Sequence, residues 1–124
     1  HIRDLGISTG GIQVLQQDFF SADLSYDLAY DSTFLCALPP KLRDAWAEQY
    51  ERLIRQGGEL ITLIWPLPGS QKEEHGPPFV ISLALLRELL APRGFELVAA
   101  DVVEDEDWAR PKRGGEIIAR WRKL

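Results

Sequence analysis

The sequence contains no methionine, a single cysteine and no long apolar run. A membrane-spanning helix needs about 18 consecutive apolar residues, and no stretch approaches that; no signal-peptide pattern is visible either. The lone Cys36 cannot form an internal disulfide, which fits a reducing compartment such as the cytoplasm. Basic residues are in deficit, 14 Lys and Arg against 19 Asp and Glu, and the net charge of −5 argues against a general binder of nucleic acid or anionic membrane. With two histidines and one cysteine, no His/Cys/Asp/Glu spacing resembles a metal site. There is no internal repeat and no low-complexity tract. An intact translation product starts with methionine, whereas this sequence begins at His1. The expectation is a processed chain or a portion of a longer one.

What is present is 124 residues, 45% hydrophobic and 27% charged, the material of one small domain. A domain of that size buries about two-thirds of its unfolded surface. Ile2 to Ile7 reads as the last turns of a helix stopped at Gly6, and Ser8-Thr9-Gly10-Gly11 as a loop. Ile12–Leu15 is a short extended segment, and Tyr26–Tyr30 is a strand closed by Asp31-Ser32-Thr33. Pro39-Pro40 introduces a helix, because proline at a first turn gives up no hydrogen bond. Leu42, Trp46, Tyr50, Leu53 and Ile54 recur on one face, and Gly57-Gly58 ends that helix. Glu59–Trp65 is nearly continuous in apolar character, as a strand covered on both faces would be. Pro66–Pro78 is a loop, and Ser82 caps a second helix carrying Leu83, Leu85, Leu86, Leu89 and Leu90, stopped by Pro92-Arg93-Gly94. Phe95–Val103 and Glu116–Trp121 are strands, with a charged loop from Glu104 to Gly114 between them. Alternating strands and helices predict an α/β sheet with parallel neighbours, closed by an antiparallel hairpin.

The segments Asp18-Phe19-Phe20, Tyr26–Phe34, Thr33-Phe34-Leu35-Cys36-Ala37, Gly57–Leu63, His75-Gly76-Pro77-Pro78-Phe79 and Arg93-Gly94-Phe95-Glu96, with Pro111–Gly114 running on to Arg120-Trp121, form an ordered set. That set resembles the thiopurine S-methyltransferase family, especially its thiol and halide methyltransferase branch, over roughly residues 12 to 124. The resemblance implies a Rossmann-like, seven-stranded class I methyltransferase sheet that binds S-adenosyl-L-methionine. The family's glycine-rich loop after its first strand, and the acidic residue ending its second, have no counterpart here; Ser8–Gly11 lacks the strand and helix such a loop needs. Residues 1–124 are therefore expected to be the C-terminal portion of one methyltransferase-like domain, without the N-terminal strands and glycine-rich loop.

The same resemblance points to candidate residues. Asp18 and Phe19 lie just past a strand's carboxyl end, where open α/β sheets bind ligands. The family uses this position for adenine contacts; the alternative is a turn cap and a core aromatic. Asp31 and Ser32 are placed beside the cofactor's methionine portion, although both residue types also cap helices well. A position matching Ser32 is arginine in some relatives. Pro77, Pro78 and Phe79 would wall the acceptor pocket, two prolines giving a stiff surface. Arg110 would supply a basic group near the substrate, interchangeably with Lys112 and Arg113. His75 is a weaker candidate for a base, and Cys36 reads as a packing residue. No catalytic side chain is assigned, because methyl transfer rests on orientation and exclusion of water, and no residue spacing points to a metal.

Two classes of function follow. The first is an S-adenosylmethionine-dependent methyltransferase acting on a thiol or another soft small-molecule nucleophile. The second is a non-catalytic module that buries its sheet edge by self-association or by pairing with a missing N-terminal segment. A dinucleotide-binding oxidoreductase would need the same absent glycine loop and lacks the motif match.

Overall fold

A computed structural model describes residues 3–9, 12–68, 76–103 and 115–124. Among these the elements are β1 (Arg3–Thr9), β2 (Ile12–Gln16), β3 (Tyr26–Ser32), α1 (Arg43–Leu53), β4 (Ile54–Ile64), α2 (Leu83–Leu90), β5 (Phe95–Val102) and β6 (Ile117–Lys123). Strands β3-β4-β6-β5 form one sheet in that order, and β1-β2 form a separate two-stranded ladder. β3 and β4 run parallel, while β6 is antiparallel to both β4 and β5. The expected α/β class, parallel pair and closing antiparallel hairpin are all present.

Three local expectations are corrected. Arg3–Thr9 is a strand paired antiparallel to Ile12–Gln16, not the end of a helix. Helix α1 ends at Leu53 and β4 begins at once with Ile54, so Gly57-Gly58 lies within a strand. Ile54 is β-branched, extended (φ −94, ψ 127) and 1% exposed, and Lys123 of β6 donates to the carbonyls of Glu51 and Ile54 that the helix leaves open. The glycines instead form a bulge: the β3–β4 register jumps between Tyr26↔Ile54 and Leu28↔Glu59, and Gly57 has φ +85. A side chain at Gly58 would sit 2.7 Å from the Asp27 carbonyl of β3. Third, β4 is not covered equally on its two faces. Leu60, Thr62 and Ile64 are buried, while Glu59, Ile61 and Leu63 are only half-buried.

Both helices pack on the same face of the sheet. Trp46, Ala47, Tyr50 and Leu53 of α1, with Leu86, Leu89 and Leu90 of α2, join Leu60, Ile64, Ala119 and Trp121 in one core. Burying aliphatic side chains of this size contributes about 1.5–3 kcal/mol each. Within that core the Trp121 indole donates to Thr62 Oγ1 at 3.1 Å, so the one buried hydroxyl of β4 has a partner. The opposite face shows Leu28 and Tyr30 of β3 58% and 59% exposed, beside a surface fork in which Arg120 holds both oxygens of Glu59 at 2.9 Å. Among the described residues no helix is long and apolar enough to cross a membrane, and no cluster of His, Cys, Asp and Glu could hold a metal ion.

Candidate cofactor and acceptor site

Because β3 and β4 are parallel, their carboxyl ends, Ser32 and Ile64, open on the same side of the sheet. This is where open α/β sheets bind ligands. The segments leaving those ends are stitched together. The Phe79 amide donates to the Cys36 carbonyl at 2.7 Å, and the Ile81 amide to the Pro66 carbonyl at 2.9 Å. The Pro77-Pro78-Phe79 wall is thereby tied to the turn that follows β3. Gly76 is required there by close approach: a methyl group on it would lie 2.1 Å from the Phe79 ring. Beside the wall is a cavity of about 330 Å³, lined by Pro40, Arg43, Pro68, Phe79 and Ser82 among others. Arg43 reaches toward the Val80 carbonyl at 3.5 Å.

Asp31 ends β3 with its carboxylate turned into the core. It is 5% exposed, and its Oδ2 accepts from Tyr50 Oη at 2.6 Å and Trp46 Nε1 at 3.1 Å. Burial pushes the Asp31 carboxyl above the ordinary carboxylate value, opposed by the Tyr50 hydroxyl, the Trp46 indole and the Leu35 amide. The Tyr50 hydroxyl is pushed up in turn, by burial first and then by the neighbouring carboxylate. Ser32 is half-buried at the strand end, and the next residue, Thr33, has φ 56.

Asp18 caps the 3₁₀ turn Phe19–Ser21, its Oδ1 accepting from the Phe20 amide at 3.1 Å. The residue is exposed. Phe19 is half-buried and packs on Phe34 and Tyr50, with ring centroids 4.9 and 5.0 Å away. Phe34 brings the turn after β3 against the turn after β2, so the two candidate cofactor segments meet through aromatic rings. Their local geometry satisfies the packing roles named above for Asp18 and Phe19. Asp18 is exposed, and Ser32 is half-buried at the end of β3. For an adenosyl ligand, the residues present fit its rim: an exposed carboxylate for the purine amino group and small residues at the β3 end.

One further residue ties this region to α1. Gln49 of α1 is 1% exposed; its Nε2 donates to the carbonyls of Phe19 (2.8 Å) and Ala22 (2.6 Å), and its Oε1 accepts from Arg52 at 2.7 and 3.0 Å. The sequence signal was a polar residue inside the apolar stripe of Trp46, Tyr50 and Leu53, which a buried helix face tolerates only with partners. Arg110, Lys112, Arg113 and His75 lie outside the described residues.

The fold defines the class. A SAM-dependent methyltransferase from Methanosarcina mazei superposes with a TM-score of 0.69 at 15% identity, over 87% of this chain and 65% of that one. Magnesium protoporphyrin IX methyltransferase from Synechocystis with bound SAH gives 0.67 at 15% identity, over 87% of this chain and 49% of that one. The sheet is thus part of the Rossmann-like class I methyltransferase fold.

The family is equally clear. Residues 2–122 match the thiopurine S-methyltransferase (TPMT) family, and the chain belongs to it. A probable thiol methyltransferase 2 of Arabidopsis thaliana is 38% identical over 111 residues, covering 88% of this chain and 47% of the relative. Thiocyanate methyltransferase 1 of the same plant is 38% identical over 102 residues, with shares of 80% and 41%. Thiopurine S-methyltransferase of Vibrio parahaemolyticus is 32% identical over 121 residues, with shares of 95% and 50%. The chain thus spans half or less of the length of each of these relatives.

Proposed function

We propose that this chain is part of an S-adenosyl-L-methionine-dependent methyltransferase whose acceptor is a thiol or another soft small-molecule nucleophile, working in a reducing compartment, the cytoplasm. What supports this reading is the family match over residues 2–122, on a sheet whose parallel strands β3 and β4 end together beside the Pro77-Pro78-Phe79 segment. Held by Asp18, Phe19 and Ser32, S-adenosylmethionine would supply an electrophilic methyl group to the acceptor.

The chain's own residues position and desolvate. Asp18 offers its carboxylate to the purine amino group, and Phe19 stiffens the turn that presents it. Ser32, at the end of β3, contacts the cofactor's methionine portion. Asp31 acts from beneath, fixing that strand end through Trp46 and Tyr50. Pro77, Pro78 and Phe79 form a rigid apolar boundary that keeps water from the acceptor, and Arg110 supplies positive charge near it. A thiolate or thiocyanate needs no base once ionised, so no triad is required.

Calorimetry of the full-length protein with S-adenosylhomocysteine tests the reading. Binding is expected, weakened by Asp18→Ala and by Ser32→Ala without loss of fold. Absence of binding by the wild type defeats it. The exposed Leu28 and Tyr30 on edge strand β3 favour a second reading, a non-catalytic module that pairs this edge with another chain. Light scattering decides between them: a stable dimer with no affinity for S-adenosylhomocysteine supports the module.

A further inference from the structure

Thr33 holds a left-handed backbone conformation (φ 56) at the carboxyl end of β3. For a β-branched residue this is a steric outlier, and such conformations persist only where the surroundings impose them. The surroundings here are identifiable. On one side, Asp31 is anchored by Tyr50, Trp46 and the Leu35 amide. On the other, Leu35 and Cys36 are 3% and 2% exposed, and the Cys36 carbonyl receives the Phe79 amide. The chain must cross from one fixed point to the other through Ser32, Thr33 and Phe34.

Packing does not account for threonine at this position. Its side chain is exposed, and among the described residues its hydroxyl bonds only to the preceding Ser32 carbonyl, at 2.6 Å. What the conformation does is set two directions at once. It leaves Ser32 at the strand end and sends Phe34 back against Phe19 and Phe20, with centroids 4.9 and 6.4 Å apart. The strained residue therefore sits between the two segments read above as cofactor contacts.

We propose that Thr33 is a positioning residue for methyl transfer: its strained, stiff turn holds Ser32 and Phe34 in the arrangement that receives the cofactor, at a cost in stability. This rests on the methyltransferase reading and extends it to a residue that touches the ligand only through its neighbours.

The test uses the full-length protein with Thr33→Asn and Thr33→Gly, both tolerant of positive φ. The wild type is measured first, by calorimetry with S-adenosylhomocysteine and by methyl transfer to thiocyanate. If it neither binds nor transfers, the methyltransferase reading fails, and this inference falls with it. If it is active, Thr33→Asn is expected to raise the melting temperature by a few degrees. Both variants keep the positive φ but lose the stiffness of the β-branched side chain that holds Ser32 and Phe34, so both are expected to raise the cofactor KM and the S-adenosylhomocysteine Kd severalfold, with kcat changed far less. A higher melting temperature with unchanged cofactor affinity overturns the proposal, since the strain would then be incidental. A lower melting temperature in both variants also overturns it, since Thr33 would then be a structural residue.

Discussion

Replacing Tyr50 by phenylalanine isolates the bond on which the end of β3 depends. The ring would keep its packing, edge-on to Trp46 at 5.2 Å and against Phe19 at 5.0 Å, so no cavity opens. What disappears is a 2.6 Å donor to a carboxylate that is 5% exposed. A hydrogen bond to a charged group contributes about 1.5–3 kcal/mol, and Trp46 and the Leu35 amide remain, so a loss of about 2 kcal/mol is expected at pH 7. For a domain about twice this length, as in the matched relatives, that corresponds to a fall in Tm of roughly 4–8 °C.

The loss should also depend on pH. The folded Asp31 pKa already lies above its reference value because burial outweighs its donors. A raised carboxyl pKa contributes stability that is complete below the unfolded pKa and is lost as pH rises through the folded value. Removing a donor raises the folded value further, so the penalty of Tyr50→Phe grows toward neutral pH and shrinks as the carboxyl becomes protonated. Urea unfolding of both proteins between pH 4 and 7 reads the difference directly. A loss below about 0.5 kcal/mol at pH 7, or one of equal size across the range, would refute the argument that a desolvated, ionised Asp31 is held by this hydroxyl.

Three other outcomes are expected. Gln49→Ala removes the side-chain donor to the part-buried carbonyls of Phe19 and Ala22, of which the Phe19 carbonyl keeps only the Ala22 amide, and should cost about 1–2 kcal/mol in chemical denaturation while weakening S-adenosylhomocysteine binding; unaltered binding would detach the Phe19 turn from the cofactor site. Gly76→Ala places a methyl group 2.1 Å from the Phe79 ring, so the wall must shift and the acceptor KM should rise several-fold while the cofactor Kd holds. Glu59, whose carboxyl is held below its usual value chiefly by the Arg120 fork, contributes stability present above its unfolded pKa and lost as pH falls through the folded one. Thermal melts of Glu59→Gln should therefore converge on the wild type in acid and show little salt dependence.

Element types were legible wherever a local rule dominates. The Trp46–Tyr50–Leu53 stripe, the Ser82 cap (accepting from the Leu85 amide at 3.1 Å) and the Gly94 stop (φ +86) appear as read. Gly57-Gly58 was misread because a glycine pair that stops a helix and one that forms a bulge look the same locally. The choice is made by Lys123 and Asp27, which are remote in sequence. The first residues failed for a similar reason: Arg3–Thr9 takes its extended form from pairing with Ile12–Gln16, a contact that periodicity does not encode.

The site divides along the same line. By itself the sequence determined the family, through ordered motifs whose spacing survives without any geometry, and the candidate segments at Asp18-Phe19, Asp31-Ser32 and Pro77-Pro78-Phe79. Only the tertiary structure decided how each is placed. Asp31 points into the core because Tyr50 and Trp46, 19 and 15 residues away, supply its donors. Phe19 and Phe34 meet because Gln49 pins one turn and the strained Thr33 redirects the other. Motif spacing is carried by local chain order. The direction of a buried polar side chain is set by the partners that offset its desolvation, and those partners are assembled only when the sheet and α1 close over them.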